Sequence, residues 1–185
     1  EAAKIEGVYG PAFYDVAYHE DGTIASVTPK ETAPARVKKR IISDLDSVYY
    51  PDKFVVPFVD IVHDRAVTEV FRGCIRGCRF CQAGFIYRPI REKKSETVNR
   101  QAKCLCETTG YDEVSLCSLS TSDYSQVEKL IPDMLSWAVP EKINVSLPSL
   151  RVDNFSEELM EELKKVRKSG LTFAPEAGTQ RLRDA

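Results

Sequence analysis

From residue 67 onward one pattern recurs: a short β-prone run, a polar loop, then a stretch with apolar residues at helical spacing. Residues 67–71 read as a strand. Ser95 stands where an N-cap belongs, and Val98, Ala102, Leu105 and Thr109 line one face of a helix that should end at Gly110. Residues 113–119 alternate as a second strand. Ser125 opens a helix with Val127, Leu130, Ile131, Met134, Leu135 and Ala138 on one side, and Pro132 within it is expected to kink or split it. Residues 142–147 form the third strand. Asn154 and Glu157 resemble a capping box for a helix carrying Leu159, Leu163 and Val166 and stopping at Gly170. Residues 171–174 are the fourth strand, and a further helix starts at Thr179. Strands separated by helices at this spacing give a parallel sheet with helices outside. Right-handed crossovers curl such a sheet into a barrel or part of one. The expected fold class is therefore α/β, an incomplete (β/α) barrel.

Period-2 alternation assigns the strand faces. Val114 and Leu116, then Ile143, Val145 and Leu147, then Leu171 and Phe173 should face the helices. Their alternates, Ser115 and Cys117, Asn144 and Ser146, and Thr172, Ala174 and Glu176, should face the lumen. A barrel interior is normally filled by Val, Ile and Leu, so a small, polar lumen implies a ligand inside it. Active sites of such barrels lie at the C-terminal strand ends. Those ends are the loop after residue 71, residues 118–123, residues 149–151 and residues 175–178.

Residues 1–66 read as a β-hairpin and an extended linker leading to the barrel portion at 67–185. Residues 14–18 and 23–27 are β-prone, and Asp21-Gly22 between them is a turn dipeptide. Tyr9, Phe13, Tyr14 and Tyr18 are expected to form a small aromatic core under the hairpin rather than a base-stacking surface, because basic residues do not interleave with them. The basic residues of 36–40, followed by Asp44 and Asp46, read as solvated surface. Pro51 and Pro57 around Phe54-Val55-Val56 mark an extended connector. His63-Asp64-Arg65 is expected to make a structural hydrogen bond before the first strand, with a proton relay as the alternative.

Net charge is −2, with 43% apolar and 29% charged residues. This is an ordinary globular balance for about one domain, and it argues against wholesale binding of nucleic acid or membrane. No apolar run is long enough for a membrane span, and no signal peptide is read at the start. Six cysteines in that setting imply a reducing compartment, the cytoplasm, and a metal site rather than disulfides. The chain opens on Glu1-Ala2-Ala3 and ends as a helix begins, so it is read as a fragment of a longer protein.

The chemistry is concentrated in Cys74-Ile75-Arg76-Gly77-Cys78-Arg79-Phe80-Cys81. Three cysteines at C-x3-C-x2-C spacing have no fourth partner at a ferredoxin-like offset. A structural zinc site wants four N or S ligands, usually from two knuckles. Three thiolates on a tight loop suit a 4Fe–4S cluster in which one iron has no protein ligand, and an open position marks a catalytic metal.

This octet resembles the cluster motif of the radical S-adenosylmethionine (radical SAM) enzymes. Phe71-Arg72-Gly73 before it and the run from Gln82 to Pro89 after it resemble one branch, in which a cobalamin-binding-like domain lies upstream. The resemblance implies a six-stranded partial (β/α) barrel, of which this chain supplies four strands. It implies that Cys74, Cys78 and Cys81 hold the cluster and that the open iron chelates the methionyl part of SAM. A one-electron donor such as flavodoxin or ferredoxin reduces the cluster, and SAM is cleaved to a 5′-deoxyadenosyl radical. Methyl transfer, with cobalamin in an upstream domain, and methylthiolation of RNA or protein are the outcomes the branch suggests. The family often carries Gly-Gly-Glu after strand two. Here residues 118–123 read Ser-Leu-Ser-Thr-Ser-Asp, a departure that leaves Ser120, or Asp123, as candidate partner of the SAM amino group. Ser149 and Arg151 resemble positions that bind ribose and carboxylate; Glu176 reads as an acceptor for a ribose or substrate hydroxyl or, almost equally, as half of a buried pair with an arginine, and Phe80 as packing on adenine. Catalytic residues beyond the cluster are unassigned.

Arg72, Arg76, Arg79, Arg88 and Arg91 surround the octet and read equally as cluster or substrate partners and as surface charge. Cys104 and Cys106 read as helix filler; Cys117 reads as a small buried residue, with a catalytic thiol as the alternative. The rival function is a non-catalytic iron–sulfur or zinc module for electron transfer or scaffolding. A third reading, an RNA-binding module built on the Arg-rich loop, conflicts with the near-neutral charge.

Overall fold

The Asp21-Gly22 turn folds as its composition predicts. In the computed structural model, which describes residues 1–30, 33–151, 157–164, 166 and 174–184, β1 (Tyr14–Tyr18) and β2 (Ile24–Pro29) pair antiparallel across it. Asp21 Oδ1 accepts from the Thr23 backbone N–H at 2.9 Å, and Gly22 takes φ +82°. Tyr14 is buried, its hydroxyl donating to the Pro34 carbonyl at 2.9 Å, and the Tyr9 ring lies 5.0 Å away. Phe13 and Tyr18 are exposed, so the expected aromatic core contracts to Tyr14 with Tyr9 against it. A two-stranded ribbon has no second layer to cover the other rings. This hairpin belongs to a unit spanning Glu1–Ser43; Asp44–Ala185 forms a second compact unit.

In the second unit, elements follow the β-loop-α order expected. They are β3 (Ala66–Glu69), β4 (Phe71–Arg72), α1 (Gln82–Ile86), β5 (Arg91–Glu92), α2 (Ser95–Thr109) and β6 (Glu113–Cys117). After these come α3 (Val127–Ala138), β7 (Asn144–Ser146), α4 (Glu157–Leu163) and α5 (Gln180–Arg183). Strands β3, β6 and β7 form a parallel sheet in that order. Residues 152–156 and 167–173 lie outside the described residues, and with them the Asn154 cap, Gly170 and nearly all of the expected fourth strand. Among the described residues the sheet is open, not a closed barrel.

Register fixes the faces. Ala66 pairs with Val114 and Val114 with Val145, so with Thr68 and Leu116 they share one face, under 4% exposed. Val98, Ala102 and Leu105 of α2 and Leu130, Ile131 and Met134 of α3 pack on it as one core. Burying a Leu, Ile, Val or Met side chain contributes about 1.5–3 kcal/mol each, so this layer holds the unit together. The opposite face carries Val67, Glu69, Ser115, Cys117, Asn144 and Ser146, the alternation that parity predicts for two of the strands.

Two local expectations are corrected. Ser95 is not the N-cap of α2; Lys94 is, in extended backbone. The Ser95 hydroxyl is buried without a hydrogen-bond partner, and the exposed N–H groups are met from outside the helix. Asp46 Oδ1 accepts from Lys94 N at 2.9 Å and Gln126 Oε1 from Ser95 N at 3.1 Å. Gly110 closes α2 in the left-handed conformation as expected, φ +77°. Pro132 does not split α3, which runs unbroken from Val127 to Ala138. Its ring is on the exposed side, where water can satisfy the carbonyl that loses its partner.

Candidate functional site

The three cysteines of the octet ride on one closed loop. Strand β4 follows β3 directly, and β5 pairs with it antiparallel, Phe71 opposite Glu92 and Arg72 opposite Arg91. This ladder draws together the two ends of residues 73–90. It is anchored on the sheet: Val70 N donates to Cys117 O at 3.0 Å and Lys93 N to Val70 O at 3.0 Å. Tyr124 stacks on Phe71 at 6.3 Å and donates its hydroxyl to the Lys93 carbonyl at 2.7 Å. The loop thus sits at the C-terminal end of β3, where barrels of this kind place chemistry.

Gly73 makes the closure possible. Its φ is +95°, and a Cβ there would lie 3.0 Å from Ile90 Cα and 3.0 Å from the Tyr87 carbonyl. Gly77 also takes positive φ, +65°. Within the octet Cys81 N donates to Cys78 O at 3.0 Å, and all three thiols are half-buried. An open pocket beside Cys74 is lined by Ile75, Arg88, Pro89 and Ile90. Three thiols within eight residues are the donor chemistry of an iron–sulfur site. Among the described residues no three Cys, His, Asp or Glu side chains converge closely enough to hold a metal, so the cysteines share the loop without being gathered at one point.

The neighbouring strand-end loops are tied to this one. Arg76 donates Nε to Asp123 Oδ2 at 2.7 Å, and its Nη2 to Asp123 Oδ1. The Asp123 side chain is 3% exposed and also accepts from Ser120 Oγ at 2.7 Å. Thr121 N donates to Ser149 O at 3.2 Å, and Arg151 N to Ser122 Oγ at 3.3 Å. The structure therefore joins the loops bearing Cys74, Ser120, Ser149 and Arg151. Ser120 is buried, Ser149 exposed and Arg151 half-buried. Ser149 holds φ +58° and Glu176 φ +66°, a conformation costly for non-glycine residues that concentrates at functional sites. Glu176 and Phe80 are exposed, so Glu176 is not half of a buried ion pair, and among the described residues neither is bonded to the joined loops.

Four of the five arginines shape the loop. Arg72 makes a two-bond pair with Glu69 at 2.8 and 3.0 Å, which holds its guanidinium above the usual range. Arg76 takes Asp123, Arg88 lies 4.5 Å over the Phe85 ring, and Arg91 donates to the Pro89 and Tyr87 carbonyls. Cys106 is buried and Cys104 Sγ donates to the Asp52 carbonyl at 3.4 Å, in keeping with filler. Cys117 is exposed at the end of β6, opposite Glu69, so the buried role read for it is corrected, although Ser115 and Asn144 on the same face are buried.

At the other end of the sheet Arg65 donates to Glu113 at 2.8 Å and bonds His63 Nδ1 at 3.0 Å; Asn144 donates to Glu113 at 3.2 Å. His63 therefore serves structure, as expected, and part of the polarity of that sheet face belongs to this network. Sequence reading missed the β4–β5 ladder, Tyr124 and the Arg76–Asp123 pair. Strands of two residues carry no periodicity, and partners 47 positions apart carry no local signal.

Residues 68–185 match the radical SAM superfamily. This chain is a radical SAM protein. It is 36% identical over 116 residues to an uncharacterized protein of Methanocaldococcus jannaschii, a match covering 63% of this chain and 24% of that one. It is 26% identical over 122 residues to a protein of the same organism named "Putative methylthiotransferase", covering 62% of this chain and 27% of that one. The chain thus spans about a quarter of the length of these relatives. Membership in the radical SAM superfamily implies an enzyme that uses a 4Fe–4S cluster, SAM and a reductant. The parallel sheet with its cysteine loop is a partial radical SAM (β/α) core. No helix among the described residues is long and apolar enough to cross a membrane.

Proposed function

We propose that this chain carries the cluster- and SAM-binding part of a radical SAM enzyme, with Cys74, Cys78 and Cys81 as cluster ligands and SAM on the remaining iron. One observation carries the reading. A three-cysteine loop, zipped by β4 and β5, stands at the end of a parallel strand and is bonded to the loops of Ser120, Ser149 and Arg151. A 4Fe–4S cluster held by Cys74, Cys78 and Cys81 would supply the single electron, from a flavodoxin- or ferredoxin-type donor, needed for reductive cleavage of SAM to methionine and the 5′-deoxyadenosyl radical.

The chain's own part is binding and orientation. Binding gathers the three thiols, which must lose their protons to ligate. The Arg151 guanidinium suits the SAM carboxylate because its forked donors can meet both oxygens. The Ser120 hydroxyl donates to Asp123 and keeps lone pairs for the SAM amino group. Ser149 and Glu176 offer oxygen atoms to ribose, and Phe80 an exposed ring to adenine. No catalytic residue is proposed beyond the ligands. For the reaction, methylthiolation draws support from the name of one relative; RNA or protein as the acceptor rests only on the resemblance. Methyl transfer with cobalamin rests only on the resemblance of the motif's flanks. The cytoplasm is the proposed location.

The deciding experiment is electron paramagnetic resonance of the anaerobically reconstituted, dithionite-reduced protein with and without SAM. A reduced 4Fe–4S signal that changes with SAM is expected, and Cys74→Ala, Cys78→Ala or Cys81→Ala should each abolish it. Cys117→Ala should leave it intact. A signal indifferent to SAM, or lost in Cys117→Ala, would instead indicate the closed, non-catalytic module.

A further inference from the structure

Arg76 lies inside the octet, two residues from Cys74 and two from Cys78, and its guanidinium leaves the loop to meet one carboxylate. Two roughly parallel bonds, Nε to Oδ2 and Nη2 to Oδ1 of Asp123, fix orientation as well as distance, which a single charge contact would not. Asp123 is the better anchored partner. Its side chain is 3% exposed against 29% for Arg76. Ser120 Oγ donates to it at 2.7 Å, and its own N–H donates to the Ser120 carbonyl at 2.9 Å. It ends the 3-10 turn Thr121–Asp123, whose other two residues are bonded to Ser149 and Arg151. The carboxylate is therefore fixed within a turn that is itself bonded to the Ser149 and Arg151 loop, and Arg76 bonds the cysteine loop to it.

We propose that Asp123 is a positioning residue for the cysteine loop: through Arg76 it sets how an iron held by Cys74, Cys78 and Cys81 faces the residues that take SAM. This rests on the radical SAM reading above. Neither residue is among the proposed cluster ligands, and Ser120, not Asp123, is the proposed partner of the SAM amino group. Loss of the clamp should spare cluster assembly and weaken SAM binding.

The test uses the full-length protein, reconstituted anaerobically, as wild type, Asp123→Asn, Arg76→Lys and the double variant Arg76→Gln/Asp123→Asn. Iron and sulfide per chain report assembly. The SAM concentration giving half the change in the reduced-cluster resonance reports the clamp. Both single variants should load iron and sulfide as wild type does and require about tenfold more SAM or beyond, the scale on which outer partners of metal ligands act. The double variant should be no worse than Asp123→Asn, since the two groups act as a unit. Arg76→Lys keeps the charge and loses the fork, so it separates geometry from charge, and it decides alone if Asp123→Asn does not fold. SAM midpoints equal to wild type in the single variants, or additive losses in the double, overturn the proposal. A wild-type resonance that ignores SAM sinks the underlying reading instead, a distinguishable result because no variant is needed to see it.

Discussion

Cys106 shows how burial alone decides what a cysteine is for. It is 3% exposed on α2, and burial pushes its thiol up to about 11 from the usual 9.0, with Glu141 and Glu107 adding to the shift. Such a thiol is inert at neutral pH. The folded state keeps the proton where the unfolded chain has released it. The resulting stability is full below pH 9 and declines as pH rises through 11. The loss should amount to roughly 2–3 kcal/mol at most. Urea unfolding of wild type and Cys106→Ala under reducing conditions at pH 8.5 and 11 checks this: the alkaline decline should be shallower in the variant. Tyr124 and Tyr50, whose hydroxyls burial raises, decline in the same sense, and Lys93, whose ammonium burial lowers, runs the other way; the variant isolates the thiol. That Cys106 is filler was legible from its spacing. That Asp123 is the anchor of the octet was not, because no local pattern marks a contact made by folding.

At the scale of elements, the loop of residues 73–90 is held by backbone geometry more than by side chains. The backbone at Ile90, Tyr87 and Pro89 crosses within 3.0–3.1 Å of where a Cβ on Gly73 would stand, and φ is +95°. Gly73→Ala should therefore cost about 2–3 kcal/mol. It should also unzip β4 from β5, seen as faster amide exchange at residues 71–72 and 91–92 and a fall in iron incorporated, with α2 and α3 still protected. Protection unchanged in the ladder would show that the loop tolerates the methyl. Longer elements follow their sequence pattern more closely: α2 ends at Gly110, and Val114 and Leu116 of β6 pack in the helix-covered core as read, although the strand stops at Cys117 and Ser115 is buried as well. Shorter ones do not, because β4 and β5 exist only through pairing with each other. The caps behave similarly. Asp46 and Gln126 serve the start of α2 from distant positions, while Ser95, the residue of the right type, is turned into the interior.

Within the second unit, a structural network and the residues proposed for cluster and SAM occupy opposite ends of the parallel sheet. The network of Arg65, His63, Glu113 and Asn144 lies at the N-terminal ends of the strands; the octet and the Ser120, Ser149 and Arg151 loops lie at the C-terminal ends. Arg65→Ala removes a charge-assisted pair and should lower stability by about 2 kcal/mol, measured by denaturant unfolding, while iron incorporation and its response to SAM stay at wild-type values. Loss of the cluster in a folded Arg65→Ala protein would contradict this separation.

Sequence alone was enough for the parallel α/β plan, the two faces of its strands and the cysteine octet, because each is written in residues near one another: alternation, helical spacing and C-x3-C-x2-C. Tertiary structure alone decided how the octet is closed and tied to the neighbouring loops. The β4–β5 ladder, the Gly73 crossing, the exposure of Cys117 and the Arg76–Asp123 clamp are all contacts between segments that meet only when the sheet has formed. Neither charge nor propensity specifies such a meeting; packing does.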